Sequence, residues 1–178
     1  EEGVVHESMN FARINQLPIL FVVENNLFSS HMHISLRQPN DSTSRFAKAN
    51  EIQYKLVDGN DIVSVDKNSS YLINQIRNGG GPGFLEAVTY RWLGHVDWRD
   101  DIDVGVSRSK EDVDNWKKKD PLLRLYNEML KSLIITESEY TEMSNSLSKF
   151  VNMEWENALK DPYPSSEKLL ERVYFKKG

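Results

Sequence analysis

Three short runs rich in β-branched and aromatic residues punctuate the first half of the chain: ILFVVE at 19–24, QYKLVDG at 53–59 and GFLEAVTYR at 83–91. A stretch with helical periodicity separates each from the next. Parallel neighbours in a sheet need a long crossover, and a helix is the usual one. Strands alternating with helices therefore predict an α/β fold: a three-layer parallel sheet covered by helices, with residues 18–24, 53–58 and 83–91 as neighbouring parallel strands. ILFVVE is apolar without interruption, the pattern of a strand covered on both faces.

The helical segments carry their own signals. Residues 3–16 place Val5, Met9 and Ala12 on one stripe, with Val4 and Phe11 along its edge. Leu17-Pro18 ends that helix, because the residue before proline avoids the helical region. STSRFAKAN predicts a short helix capped by Ser42 or Ser44. DIVSVDKNSSYLINQIRNGGG predicts a longer one, with Ile62, Val65, Leu72, Ile73 and Ile76 facing inward. Asp61 sits at its start and Gly79 at its end. Residues 25–42 are polar and irregular.

Beyond residue 91 the character changes. WLGHVDWRDDIDVGVSR reads as a long acidic loop over 92–108, with aspartates at 97, 100, 101 and 103. Little apolar burial offsets the entropy of ordering it, so mobility is expected there. Helical signals then dominate. Ser109 with Asp112 resembles a capping box, Asp120-Pro121 is an N-cap followed by a first-turn proline, and Thr136 with Glu139 is an S/T-x-x-E box. The expected division is an α/β region over 1–108 and a helical C-terminal extension over 109–178, packing on it.

A chain of 178 residues suffices for one domain with a real core. A net charge of −5 argues against a nucleic-acid partner, and no apolar run is long enough to span a bilayer. Cysteine is absent, which removes disulfides, thiolate nucleophiles and cysteine metal sites. No signal or transit segment is read at the start, and a reducing, cytoplasmic location is expected. A chain that opens on a helix with no strand feeding it reads as a fragment.

Ligands of parallel α/β sheets bind at the carboxyl ends of the strands. Three ends are visible: Glu24-Asn25-Asn26, Asp58-Gly59-Asn60-Asp61, and Arg91 through His95. The Asn25-Asn26 pair is either a turn, since asparagine tolerates left-handed backbone, or a source of neutral oxygen ligands for Mg²⁺. His95 follows a glycine just past a strand; it is either a general acid or phosphate donor, or a plain surface residue. His6, His31 and His33 are weaker, and no third ligand accompanies His31-x-His33. The glycines of NGGGPG follow a helix and precede a strand, the reverse of a phosphate cradle, and read as a connector.

EEGVVHESMNFARINQLPILFVVENNLFS, VDGND, GPGFLEAVTYRWLGH and RSKEDVDNWKKKDPL together resemble the alpha subunit of the thiamin-diphosphate-dependent 2-oxo acid dehydrogenases, the pyruvate, branched-chain and acetoin enzymes. The resemblance is specific from residue 1 to about 125 and looser beyond. It implies that the chain is the second half of a thiamin-diphosphate-binding domain, from the C-terminal part of such a subunit. Asn26 matches the carboxamide that binds Mg²⁺. Phe28 matches the position whose backbone carbonyl binds the same ion, where tyrosine is usual. His95 matches the histidine beside the cofactor that takes part in catalysis. The motif's Gly-Asp-Gly, whose aspartate is the charged Mg²⁺ ligand, falls upstream of Glu1.

The implied activity is oxidative decarboxylation of a 2-oxo acid, with acyl transfer to the lipoyl domain of an acyltransferase. The implied cofactors are thiamin diphosphate and Mg²⁺. The implied assembly is an α2β2 heterotetramer within a multienzyme complex, the beta subunit holding the pyrimidine end. The resemblance places it in the cytoplasm, or in the mitochondrial matrix in a eukaryote, and the chain alone is expected to be inactive. Val96 replaces the serine that mitochondrial pyruvate enzymes carry after this histidine, which removes phosphorylation there and favours a bacterial type. Ser107 falls near another regulatory serine. Two alternatives stand beside this: another thiamin-diphosphate enzyme (an acetoin dehydrogenase, decarboxylase or synthase), or a non-catalytic α/β module.

Overall fold

The structure, a computed structural model, describes residues 2–96 and 108–168. The chain forms two compact units, residues 1–128 and 129–178. In the first, α1 (Gly3–Ile14) leads into β1 (Leu20–Asn25), a two-residue hairpin follows as β2 (Phe28–Ser29) and β3 (Met32–His33), then α2 (Ser44–Ala49), β4 (Gln53–Asp58), α3 (Ile62–Arg77), β5 (Gly83–Val88) and α4 (Lys110–Lys117). α5 (Pro121–Lys131) begins in the first unit and ends in the second, which also holds α6 (Glu137–Lys160).

The sheet is parallel with the order β1-β5-β4. The last strand in sequence is thus the central one, in register with both neighbours: Phe84 opposite Phe21 and Tyr54, Glu86 opposite Val23 and Leu56. Because side chains alternate across a strand, β5 feeds two cores. Phe84 joins Met9, Ala47 and Ile52 on the side of α1 and α2, with Phe21, Val23 and Phe46 against them. Leu85 and Ala87 join Val57 and Leu72 on the side of α3, with Leu20 and Val65. This is the expected three-layer α/β arrangement.

Three expectations change. Among the described residues β1 lies at the edge of the sheet and is not covered on both faces: α3 lies over β4 and β5, and Val22 keeps 55% of its surface. The strand expected to run to residue 91 leaves the ladder after Val88, where β1 ends at Asn25 and β4 at Asp58. Residues 25–42, expected to be irregular, contain the small hairpin. Four local helix signals hold. Asp61 caps α3, its Oδ1 accepting the Ser64 N–H at 3.0 Å. Ser109 caps α4 and Asp120 starts α5, accepting from Leu122 and Leu123. Thr136 and Glu139 form both arms of the capping box of α6.

The second strand end is a fastening and not an open site. The Gly59 N–H donates to the Val88 carbonyl at 2.7 Å. Asn60 is buried; it accepts from the Thr89 hydroxyl at 2.7 Å and donates to the Lys119 carbonyl at 3.0 Å. Arg124 of α5 donates to Asp58 at 2.9 Å and to the Asn60 carbonyl at 3.0 Å, and pairs with Asp61 at 3.5 Å. Burial pushes the Asp58 carboxyl up, but Arg124, the Asn60 N–H and Lys119 together hold it below the ordinary carboxylate range.

Candidate functional site at the end of β1

β1 runs out into a turn built by two consecutive asparagines. The Asn25 Oδ1 accepts the Leu27 N–H and the Asn26 Oδ1 accepts the Phe28 N–H, each at 3.0 Å. These are two overlapping Asx turns. They hold Leu27 at φ +67°, a left-handed conformation that a non-glycine residue adopts only under constraint. Leu27 in turn accepts from Ile34, which closes the hairpin. The Asn26 carboxamide oxygen has a second lone pair beyond the one used by Phe28, and the Phe28 carbonyl is a further neutral oxygen two residues on. The pair fits part of a hard-cation shell, and it fits as the neutral part only: Mg²⁺ is normally anchored by carboxylate and phosphate oxygens as well.

Below this turn lies a groove of about 600 Å³. Val5, Met9 and Phe21 give it an apolar wall, while Asn25, Asn26 and Thr43 line its polar part.

Phe28 is held by its ring. It packs edge-on against His33 at 5.0 Å and against Tyr90 at 5.9 Å, and Tyr90 stacks on Trp116 of α4 at 5.4 Å between centroids. The Arg108 guanidinium stands over both Phe28 and Tyr90, 5.9 and 5.5 Å from their centroids. Tyr90 just past β5 and Arg108 just before α4 thereby buttress the β1 turn, with Trp116 of α4 behind Tyr90.

His95 is exposed, two residues past Leu93, and its ring stands edge-on to His31 at 6.2 Å. Arg91 ties the two segments together by donating to the Ser30 and Leu93 carbonyls at 3.0 Å each. His31 and His33 part company: His33 packs on Phe28 and its Nδ1 meets Ser35, while His31 faces His95. Among the described residues no group of three His, Cys, Asp or Glu is placed to hold a metal. The aspartates at 97, 100, 101 and 103, Ser107, and most of the loop expected to be mobile lie outside the described residues.

Sequence reasoning missed Glu86. It is fully buried in the central strand. One oxygen accepts from Asn25 Nδ2 at 2.7 Å and the Thr43 N–H at 2.9 Å; the other accepts from Ser42 Oγ at 2.8 Å, the Ser44 N–H at 2.7 Å and Ser44 Oγ at 2.6 Å. Burial alone pushes this carboxyl up, yet hydrogen bonds from Ser44, Thr43, Asn25 and Ser42 outweigh it and hold the group below its ordinary range. Glu86 also does what Ser42 or Ser44 was expected to do. Thr43 is the N-cap of α2 and makes no side-chain cap; the first-turn N–H of Ser44 goes to Glu86, with Ser42 Oγ a longer second acceptor at 3.2 Å. The signal was present in GFLEAVTYR as one acid inside an otherwise apolar run.

Comparison with known proteins shows the family. The family model of the dehydrogenase E1 component matches residues 1–167. The chain is 31% identical to the alpha subunit of acetoin:2,6-dichlorophenolindophenol oxidoreductase of Bacillus subtilis, over 99% of this chain and 52% of that protein. It is 31% identical to the testis-specific mitochondrial pyruvate dehydrogenase E1 alpha subunit of Homo sapiens (97% and 44%). It is 32% identical to the 2-oxoisovalerate dehydrogenase alpha subunit of Bacillus subtilis (98% and 52%). It thus spans about half the length of the curated relatives it matches. With a family match over residues 1–167, nearly its whole length, the chain belongs to the dehydrogenase E1 component family.

Proposed function

We propose that this chain supplies one wall of the thiamin diphosphate site of an alpha-type E1 subunit, in an enzyme that decarboxylates a 2-oxo acid oxidatively and passes the acyl group to a lipoyl domain. The observation that carries this reading is the double Asx turn at the carboxyl end of β1, which presents the Asn26 carboxamide and the Phe28 carbonyl at the mouth of a parallel sheet. Such mouths are where α/β folds bind phosphorylated ligands. In this reading Asn26 Oδ1 and the Phe28 carbonyl would hold Mg²⁺ as neutral ligands, and the ion would supply positive charge for a diphosphate. The bound cofactor supplies a thiazolium ring that accepts the electron pair released when carbon dioxide leaves. His95 stands exposed on the segment tied to Ser30, where it gives or takes a proton at the substrate or the incoming acceptor.

The charged metal ligand and the pyrimidine-binding half of the pocket come from outside these residues, the latter from a beta-type subunit in an α2β2 assembly. Relatives named for pyruvate, 2-oxoisovalerate and acetoin match at nearly equal identity, so acetoin is the second substrate class. The test is Mg²⁺-dependent binding of thiamin diphosphate to the full-length subunit with its beta partner, followed by calorimetry. Asn26→Ala is expected to weaken it by tenfold or more; unchanged affinity for metal and cofactor would sink the assignment.

A further inference from the structure

We propose that Glu86 is the positioning residue of this site, setting through Asn25 the turn that aims the Asn26 carboxamide and the Phe28 carbonyl. The inference rests on the reading of those two oxygens as ligands. Its structural part stands on geometry alone. Asn25 is buried, and its side chain is used at every polar atom: Nδ2 donates to Glu86 at 2.7 Å and to the Asp41 carbonyl at 2.8 Å, and Oδ1 accepts from Leu27. The two donor bonds fix the plane and the flip of the carboxamide. With Nδ2 committed to Glu86, Oδ1 has to face the turn, which holds Leu27 in its left-handed conformation and brings the Phe28 N–H onto Asn26. If the carboxamide flipped or drifted, the turn would lose its first hydrogen bond and the left-handed residue its restraint.

The same carboxylate reaches both segments that wall the groove. Asn25 lies at the end of β1, while Ser42, Thr43 and Ser44 open α2. The carboxylate oxygens are shared between the two, and every donor to them is neutral. A carboxylate fits because both its oxygens accept. An apolar side chain of the same length would strand all five donors. Glutamine is a different case. Its carbonyl can face Asn25 and Thr43 while its amide faces the Ser42 and Ser44 hydroxyls, which rotate to accept; the Ser44 N–H loses its acceptor on residue 86 and falls back on Ser42 Oγ, 3.2 Å away, so the Asn25 side is kept and the α2 side is weakened. Partners that orient a metal-ligating group typically change affinity by about 10–100-fold when removed.

The experiment compares Glu86→Met and Glu86→Gln in the full-length protein with its partner subunit, using amide hydrogen exchange in the absence of cofactor. In the Met variant the Leu27 and Phe28 amides are expected to exchange at least tenfold faster, while Leu85 and Ala87 of β5 keep their rates. In the Gln variant Leu27 and Phe28 should return close to wild type. Unchanged Leu27 and Phe28 exchange in the Met variant, or a rise shared equally by the β5 amides, overturns the inference. Should the Met variant not fold, Asn25→Asp keeps the acceptor for Leu27 and loses the donor to Glu86. It is expected to speed the same two amides at neutral pH, and no change there overturns the inference as well. Binding of Mg²⁺ and thiamin diphosphate is then measured on the same proteins beside Asn26→Ala. A loss in Glu86→Met that is restored in Glu86→Gln supports positioning. A loss in Asn26→Ala with none in Glu86→Met overturns it. No loss in Asn26→Ala sinks the ligand reading and leaves the exchange result to judge Glu86 by itself.

Discussion

His95 and Glu86 are opposite kinds of functional candidate, one exposed and one fully buried, and they predict different phenotypes. His95 sits on a segment held by Arg91 but contributes to neither core. His95→Ala in the complete enzyme is therefore expected to leave cofactor affinity and melting temperature alone. It should cut turnover by roughly the 10²–10⁴-fold that general acid–base groups supply. Near-normal activity with the lipoyl acceptor would remove it from the chemistry. Glu86 acts through stability as well as geometry. Its folded pKa lies below its unfolded one, so its contribution is complete above the ordinary glutamate value of 4.5 and is lost as pH falls through the folded value. The melting temperature should fall with acidification in that window. Glu86→Gln should be less stable above it and show a shallower acid decline within it; an identical slope in wild type and variant would assign the decline to other carboxylates.

At the scale of elements, the DGND turn offers the sharpest steric test. A Cβ on Gly59 would stand 2.8 Å from the Val88 carbonyl oxygen and 3.1 Å from the Ala87 carbonyl carbon, both backbone atoms. Gly59→Ala has to push β4 away from β5 or break the 2.7 Å bond that joins them. A loss of about 1–3 kcal/mol, typical of overpacking, is expected in urea unfolding. The same turn shows what sequence reading captures. Strands were legible because β-rich runs of the right length alternated with helical periodicity. Caps such as Asp61, Ser109, Asp120 and Thr136 were legible because donor and acceptor lie within three residues. What was not legible is whatever depends on distant partners. The β2–β3 hairpin has no strand-like sequence; Arg91 and the Phe28–Tyr90–Trp116 stack flank it. The cap of α2 comes from β5, which follows α3 in the chain and lies 42 residues from Ser44 in sequence. The exposure of Val22 follows from an edge position that apolar composition does not reveal. Strand-end position and residue chemistry put Asn25-Asn26 and His95 forward as candidates but left a turn or a surface role open beside each; the family resemblance is what chose Asn26 and His95.

For the whole molecule, titration tests how much of the proposed site these residues supply. Asn26 and Phe28 offer neutral oxygens, and the chain spans about half the length of its relatives. The isolated 178-residue chain is expected to show no saturable binding of Mg²⁺ and thiamin diphosphate by calorimetry and no 2-oxo acid dehydrogenase activity. Micromolar binding would mean that a charged ligand is supplied from within. The strand order has a further consequence, in time and not in space. β1 and β4 never touch, since β5 lies between them. Among the described residues, a growing chain that has released β1 and β4 still lacks the strand that joins them; this parallel pairing begins only when residues 83–88 arrive, and then both sides close on one strand. Until that moment ILFVVE and QYKLV lack the β5 neighbour they share, which opens an interval for mispairing before β5 emerges.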